Sequence, residues 1–184
     1  MNNLPHKFNV EGFLVVKNLI SKTEANKLTR DLKKRERLGG KAVTTDIMIT
    51  HSPSFFETPI TLNMQYKLIP KLEKITGFRL FRTYNYARIY KKGAVLKMHK
   101  DRPACQISVT MDLGGDEWGI YVLDKNEKPV NIKLEPGDAV VYYGTDVWHW
   151  RSKFKGDNHY QIFFHYVDAD GQYSWAKDDI KQQP

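Results

Sequence analysis

The sequence predicts one domain of the α+β class, mainly β, in which an antiparallel barrel or sandwich carries helices on one side. Helical spacing with capping signals lies before residue 77, and nine short apolar segments separated by turn residues follow from Phe78. The length of 184 residues suits one domain with a sizeable core. We therefore divide the chain into a helical support region at about 1–77, a β core at about 78–169 and a C-terminal tail at 170–184.

The first part of the chain predicts a short strand followed by a helix. Residues 12–16, Gly-Phe-Leu-Val-Val, have the composition of a strand. Ser21 and Glu24 have the spacing of a capping box, in which each side chain bonds the backbone amide of the other. The helix is expected to run to about Arg37 and to stop at the Gly-Gly pair at 39–40. Its apolar positions recur at helical spacing: Ala25, Leu28, Leu32.

A second helical region is predicted after Thr58, which is a suitable cap, with Pro59 at the first helical position. Pro70 lacks an amide donor and clashes with the preceding turn, so it is expected to break this region. The prediction is two helical pieces, at 59–68 and 70–76, ending at Gly77.

The segment between the two helical regions, residues 41–57, shows no hydrophobic period and is predicted to be a loop. It has the composition for one short strand at 43–45. His51 lies in this loop and is expected to be exposed to solvent. The sequence does not decide whether the loop closes over a site.

The remainder of the chain predicts short strands. Val, Ile, Tyr and Phe are frequent there, and turn residues separate the apolar segments. The predicted strands span residues 78–83, 84–91, 94–99, 105–113, 118–124, 129–133, 138–143, 147–151 and 159–167.

Three side chains of this β region have the spacing and chemistry of metal ligands. On an extended strand the side chains at i and i+2 share a face, so His99 and Asp101 can present an imidazole and a carboxylate to one point. A second histidine, His149 on a later strand, completes a set of two histidines and one carboxylate. Such a triad leaves open positions on a non-haem Fe(II). We predict that these three residues bind one iron ion.

The surroundings of the three ligands resemble a known family. The pattern Y-x-x-G-x-x-x-x-x-H-x-D ends at Asp101, and an apolar strand, a Pro-Gly-Asp turn at 136–138 and His149 follow. This combination is similar to the Fe(II)/2-oxoglutarate-dependent oxygenases, and within them to the prolyl-4-hydroxylase-like branch. The resemblance covers about residues 78–169. It implies a double-stranded β-helix, or jelly roll, with the iron ligands inside.

The resemblance also implies residues that hold 2-oxoglutarate. Tyr90 matches the family tyrosine nine residues before the first iron histidine, and Thr110 offers a hydroxyl on the strand after Asp101. The family has a Lys or Arg nine or ten residues after the distal histidine to bind the far carboxylate, but this chain has Asn158 and His159 there. Arg151 competes with His159 for that role, and position places His159 slightly ahead.

The activity implied by the resemblance is a hydroxylation that uses Fe(II), 2-oxoglutarate and O2, with ascorbate as a supporting reductant. Decarboxylation of 2-oxoglutarate to succinate and CO2 is coupled to hydroxylation of a substrate C–H bond. The leading substrate is a peptidyl proline, followed by a free amino acid or another small molecule. The alternatives are a nucleic-acid-directed oxygenase and a jelly-roll binding module without catalysis.

Composition bears on partners and location. The net charge of +8 favours polyanions, yet the arginine pair that nucleic-acid-directed relatives carry after the distal histidine is missing, since no arginine follows Arg151. No signal-peptide pattern or apolar run of ~20 residues is present, which predicts a cytoplasmic protein without membrane association. The single cysteine, Cys105, excludes an internal disulfide and is expected to be buried. The oligomeric state is not determined by the sequence.

Overall fold

A computed structural model describes residues 3–39 and 52–179 of the chain. These residues form three helices, ten strands and two short 3-10 turns, at Pro103–Cys105 and Ser174–Ala176. In chain order the helices and strands are α1 Leu4–Glu11, β1 Phe13–Val16, α2 Lys22–Arg37, β2 Ser54–Phe56, α3 Pro59–Thr76, β3 Leu80–Lys91, β4 Leu96–His99, β5 Ile107–Gly115, β6 Ile120–Leu123, β7 Pro129–Ile132, β8 Ala139–Tyr143, β9 His149–Arg151 and β10 Asn158–Asp168.

The described strands form two antiparallel sheets. The larger sheet has the strand order β1-β8-β5-β10-β3-β2, and the smaller has the order β4-β9-β6-β7. Neighbours in these sheets are mostly far apart in sequence, as expected when the chain crosses repeatedly between two sheets of a jelly roll. The predicted mainly β class with a jelly-roll core is confirmed.

The helices cover one face of the larger sheet. Apolar side chains of α2 and α3, including Leu28 and Leu72, belong to one buried cluster with Ile89 of β3 and Val109 of β5. Each fully buried Leu or Ile contributes about 2 kcal/mol through its removal from water. The opposite face of the sheet points between the two sheets, where a second apolar cluster includes Val122. The helices therefore pack on one side, as predicted, and leave the space between the sheets for a site.

The break predicted at Pro70 is wrong, because α3 runs without interruption from Pro59 to Thr76. Leu68 and Leu72, on either side of Pro70, are both buried against the sheet. Packing therefore holds the two halves in line, while the exposed proline removes one helical hydrogen bond. The predicted capping at Thr58 and the end at Gly77 agree with the structure.

The structure also contains elements that were not predicted, and it joins two predicted strands into one. Helix α1 was not predicted from the sequence. Asn3 caps its start, with a side chain that accepts from the His6 amide, and Gly12 in the left-handed conformation caps its end. The two strands predicted at 78–83 and 84–91 form the single strand β3. Strand β2 lies within the segment predicted as a loop. The short strand predicted at 43–45 and the position of His51 lie outside the described residues.

Residues 170–179, the described part of the C-terminal tail, pack against the β core. Ala176 is fully buried in a cluster with Cys105, which is itself buried as expected. Asp178 accepts a hydrogen bond from Arg82 at 2.7 Å. Within residues 3–39 and 52–179, none of the helices combines the length and apolar character needed to cross a bilayer.

Candidate metal and cosubstrate site

The three predicted metal ligands come together where the smaller sheet meets the turn after β4. His99 ends β4 and His149 begins β9, and the two residues lie directly opposite each other in the antiparallel pair. Asp101 follows β4 in a turn, and its amide donates to the Gly144 carbonyl at 2.8 Å. Strand pairing therefore brings together two histidines that are 50 residues apart in the chain.

The distances among the ligand atoms suit one metal ion. Asp101 Oδ1 lies 3.6 Å from His99 Nε2 and 3.5 Å from His149 Nε2. The nearest ligand atoms of all three residues are within 4.8 Å of one another. Donors bound at about 2.1 Å and at right angles would be ~3 Å apart. The two distances from Asp101 to the histidines therefore need only a small contraction to suit an octahedral ion, and the donor set fits Fe(II).

Backbone carbonyls determine the tautomer of both imidazoles. His99 Nδ1 lies 2.8 Å from the Lys97 carbonyl, and His149 Nδ1 lies 3.0 Å from the Val147 carbonyl. Because a carbonyl oxygen only accepts, each Nδ1 carries the proton, and each Nε2 lone pair is left for a metal. Both histidines thus present the ligand atom that faces Asp101.

The Asp101 carboxyl is held in its ionised form. Burial by itself would raise its pKa, but at acid pH, where Asp101 would take up a proton, the positive charge of a protonated His149 outweighs burial, and a hydrogen bond from Ser108 acts in the same direction. The result is a pKa of about 2. Asp101 therefore offers a negative oxygen at neutral pH.

These ligands line a cavity of about 330 Å³ between the two sheets. This volume is within the range of small-molecule sites. Aromatic side chains form much of its wall: Tyr84, Tyr86, Tyr90, Tyr142, Phe163. Four cations also line it: Arg88, Lys100, Arg102, Arg151. The predominance of cations over the single carboxylate among the described lining residues favours an anionic occupant.

Arg151 is a buried cation of this cavity, with 2% of its surface exposed. Its guanidinium lies over the Trp118 ring at 4.9 Å and donates to the Trp118 carbonyl. Burial lowers its pKa, and Nε has no hydrogen-bond partner among the described residues. A buried donor without an acceptor is costly, and a carboxylate in the cavity would relieve this cost.

His159 lies beside Arg151 but is not among the residues that line the cavity. Its Nδ1 is 3.1 Å from the Asp116 carbonyl, and 1% of its surface is exposed. Burial, and after it the positive charge of Arg151, lower its pKa to about 3. His159 is therefore neutral at pH 7. The geometry favours Arg151, although sequence position ranked His159 slightly ahead.

The two predicted hydroxyl residues both line the cavity. Tyr90 packs edge-on against Trp118, with ring centroids 4.8 Å apart. Thr110 Oγ1 lies 3.3 Å from the hydroxyl of Tyr142, a cavity residue that the sequence analysis did not single out. The alternation of side chains along β8 was the available signal for Tyr142.

Lys100 lies between two of the predicted ligands, at the edge of the cavity. Strand alternation predicts that it points away from its two neighbours, His99 and Asp101. Lys100 is among the residues that line the cavity, but its Nζ lies 5.2 Å from the centre of the Trp148 ring, and Trp148 is not a lining residue. Strand β4 ends at His99, so alternation no longer applies to the next residues.

Comparisons with known proteins agree with this fold. No family model and no curated protein matches the sequence. Among solved structures, a Pseudomonas putida prolyl-4-hydroxylase is similar with a TM-score of 0.74 and 12% identity, covering 89% of this chain and 96% of that one. A prolyl hydroxylase in complex with a hypoxia-inducible-factor peptide fragment from Trichoplax adhaerens has a TM-score of 0.74 and 13% identity, covering 99% and 92%.

A third structure extends the similarity beyond prolyl hydroxylases. HygX from Streptomyces hygroscopicus, crystallised with nickel, 2-oxoglutarate and hygromycin B, has a TM-score of 0.74 and 11% identity, covering 92% of this chain and 88% of that one. The chain therefore has the fold of the Fe(II)/2-oxoglutarate-dependent oxygenases. Prolyl-4-hydroxylases are among its structural neighbours, as the sequence resemblance implied.

Proposed function

We propose that the protein is an Fe(II)- and 2-oxoglutarate-dependent hydroxylase. The observation that carries the proposal is one cavity that contains both the Asp101 carboxylate facing two histidine Nε2 atoms and the buried guanidinium of Arg151. A metal bound by Asp101 and the two histidines, together with a dicarboxylate that reaches Arg151, would use all of these side chains. The alternative of a jelly-roll binding module without catalysis does not explain why the metal-type ligands and the buried guanidinium share one cavity.

In this proposal His99, Asp101 and His149 bind the iron. One carboxylate and two neutral imidazoles leave part of the coordination sphere open, and Fe(II) bound there with 2-oxoglutarate supplies the chemistry that activates O2. The chain itself keeps Asp101 ionised and presents the two Nε2 lone pairs. Aromatic side chains form much of the wall around these groups.

The far carboxylate of 2-oxoglutarate is assigned to Arg151. It would receive charge-assisted hydrogen bonds in a desolvated pocket, where they are strongest. Tyr90 and Thr110 provide hydroxyls in the same cavity. We give neutral His159 a supporting position beside Arg151, because an imidazole that is uncharged at pH 7 offers no ionic partner.

A peptidyl proline is the leading substrate, since aromatic side chains suit the apolar pyrrolidine ring and prolyl hydroxylases are among the structural neighbours. A small molecule is the second candidate, because HygX is described with hygromycin B. A nucleic-acid substrate has the support of the net charge of +8 alone.

The first experiment measures succinate formed from 2-oxoglutarate in the presence of Fe(II), ascorbate and O2. Wild-type protein is expected to form succinate, and His99→Ala is expected to form none above background. His6→Ala is the matched control, because His6 is exposed on α1 and should leave the rate unchanged. Equal succinate from wild type and His99→Ala would contradict the proposal.

The second experiment assigns the substrate. Peptides with a central proline, the same peptides with alanine, and free amino acids are incubated separately, and a gain of one oxygen is measured by mass spectrometry. Oxygen incorporation into proline peptides alone would support the peptidyl substrate. Incorporation into a free amino acid alone would transfer the assignment to the small-molecule alternative.

A further inference from the structure

A second group of metal-ligand side chains shares Asp101 with the first. Ligand-type atoms of Asp101, Cys105 and His165 lie within 4.8 Å of one another. Cys105 is 2% exposed and His165 is 3% exposed. By residue type alone this group could bind a second metal, so its hydrogen bonds must decide what it does.

The hydroxyl of Ser108 joins this group and connects two of its members. Ser108 Oγ lies 2.7 Å from Asp101 Oδ2 and 3.0 Å from His165 Nδ1, while the Cys105 carbonyl is farther, at 3.1 Å. A hydroxyl has one proton, and the carboxylate is its closest and strongest acceptor. His165 Nδ1–H therefore donates to Ser108, and Ser108 donates to Asp101. These bonds use Asp101 Oδ2 and His165 Nδ1, and the Cys105 thiol has the Tyr84 hydroxyl as its own partner at 3.1 Å.

His165 is itself held from two sides. Its ring packs on Tyr84 with centroids 4.6 Å apart. A register shift in β10 next to His165 interrupts the pairing with β3, and Gln65 of α3 donates to the carbonyls of both His165 and Tyr84 at 3.0 Å. Gln65 thus fixes the backbone at His165, while the Tyr84 ring and the bond to Ser108 hold the imidazole with Nδ1 toward Ser108.

Gly144 closes the other side of the Asp101 carboxylate. An added Cβ at Gly144 would lie 2.6 Å from Asp101 Oδ2 and 2.7 Å from Ser108 Oγ, and would also collide with the Cys105 carbonyl. The Gly144 carbonyl accepts from the Asp101 amide at 2.8 Å. The carboxylate thus sits in a tight cradle, with Oδ2 bonded and Oδ1 left to face the two histidines.

We propose that Ser108 is a positioning residue that orients the Asp101 carboxylate for metal binding, with His165 behind it as the group that orients Ser108. The inference rests on the proposed function in taking Asp101 as a metal ligand. Hydrogen-bond partners of metal ligands typically change metal affinity 10- to 100-fold when removed. The structure assigns the Asp101, Cys105 and His165 group to this support role and not to a second ion.

The test measures Mn(II) binding by calorimetry and the visible spectrum of the Co(II) form, neither of which requires turnover. Ser108→Ala is expected to weaken Mn(II) binding by about 10- to 100-fold and to change the Co(II) spectrum. Ser108→Cys keeps the packing with a weaker donor, and His165→Phe keeps the ring without Nδ1. Both are expected to weaken binding in the same direction by less, with one metal per chain.

Thr76→Val is the matched control. Thr76 is a buried hydroxyl of α3, 1% exposed, that bonds the Leu72 carbonyl at 2.9 Å away from the cavity. Thr76→Val should lower thermal stability, as Ser108→Ala is expected to do, and should leave the affinity for Mn(II) unchanged. Equal affinity in wild type, Ser108→Ala and Ser108→Cys would overturn this inference alone. Two metals per chain in wild type would also overturn it. Failure of the wild type to bind any metal would overturn the proposed function, and this inference with it.

Discussion

Replacing Arg151 by methionine separates binding of 2-oxoglutarate from folding. Methionine keeps a long apolar side chain over Trp118 and removes the guanidinium. The change removes a charged partner from a cavity carboxylate without opening a large void. Because Arg151 is almost fully buried, bulk water compensates little for the lost hydrogen bonds.

The expected loss of affinity for 2-oxoglutarate follows from the burial of Arg151. Removing one partner of a buried, hydrogen-bonded charge pair costs about 2–5 kcal/mol of binding energy. A value of about 3 kcal/mol corresponds to ~150-fold weaker binding of 2-oxoglutarate. The folding stability of Arg151→Met should be higher than that of wild type or equal to it. Burial of the guanidinium has a desolvation cost, which also lowers the pKa of Arg151, and an apolar replacement has no such cost.

The assay measures the dissociation constant for 2-oxoglutarate by calorimetry on the Mn(II) form, the KM from succinate production, and the thermal midpoint. His159→Asn is the matched control, because its side-chain amide retains a donor for the Asp116 carbonyl and removes Nε2. We expect a change below about threefold in this control, which corresponds to less than ~0.7 kcal/mol. A larger loss of affinity in His159→Asn than in Arg151→Met would refute the assignment and restore His159 as the carboxylate partner.

Three further predictions concern single side chains. Tyr90→Phe should raise the KM for 2-oxoglutarate about fivefold, as for the loss of one hydrogen bond of ~1 kcal/mol; an unchanged KM would limit Tyr90 to packing. Burial raises the pKa of Asp112 to about 6, above its ordinary value of 3.8, so the folded state loses stability as pH rises from about 4 to 6. At pH 7.5 the free energy of unfolding of Asp112→Asn should therefore exceed that of wild type, by about 3 kcal/mol at most. At pH 3.5 the two proteins should be equally stable. Thermal melts at both pH values check this. Pro70→Ala should restore a helical hydrogen bond on an exposed face and raise the melting temperature by a few degrees, and a lower melting temperature would contradict the packing explanation for α3.

Elements with strong local signals were predicted well. The capping box of Ser21 and Glu24 and the apolar spacing after it give α2 its start and its buried face, and both appear in the structure. These features depend on neighbours three or four residues away, which the sequence contains in full. Pro70 shows the limit of local rules, because buried contacts of Leu68 and Leu72 with a distant sheet outweigh one missing hydrogen bond.

The candidate site also combines features that local sequence predicts with features that depend on distant residues. The residue types and spacing of His99, Asp101 and His149 predicted a group of metal-type ligands, and the structure brings these three side chains together. The end of β4 at His99, which leaves Asp101 outside the strand, depends on pairing with β9 and could not be predicted from local sequence. The hydrogen bonds that Ser108 makes with Asp101 and His165 depend on the fold, because they join residues that are up to 64 positions apart in the chain.

By itself, the sequence determined a mainly β fold with helices on one side, a set of three metal-type ligands, and two possible partners for a cosubstrate carboxylate. Only the tertiary structure distinguished a buried cation in Arg151 from a neutral imidazole in His159. The physical reason is desolvation, since the charge of a titratable side chain depends on which strands enclose it and on the charges that lie beside it.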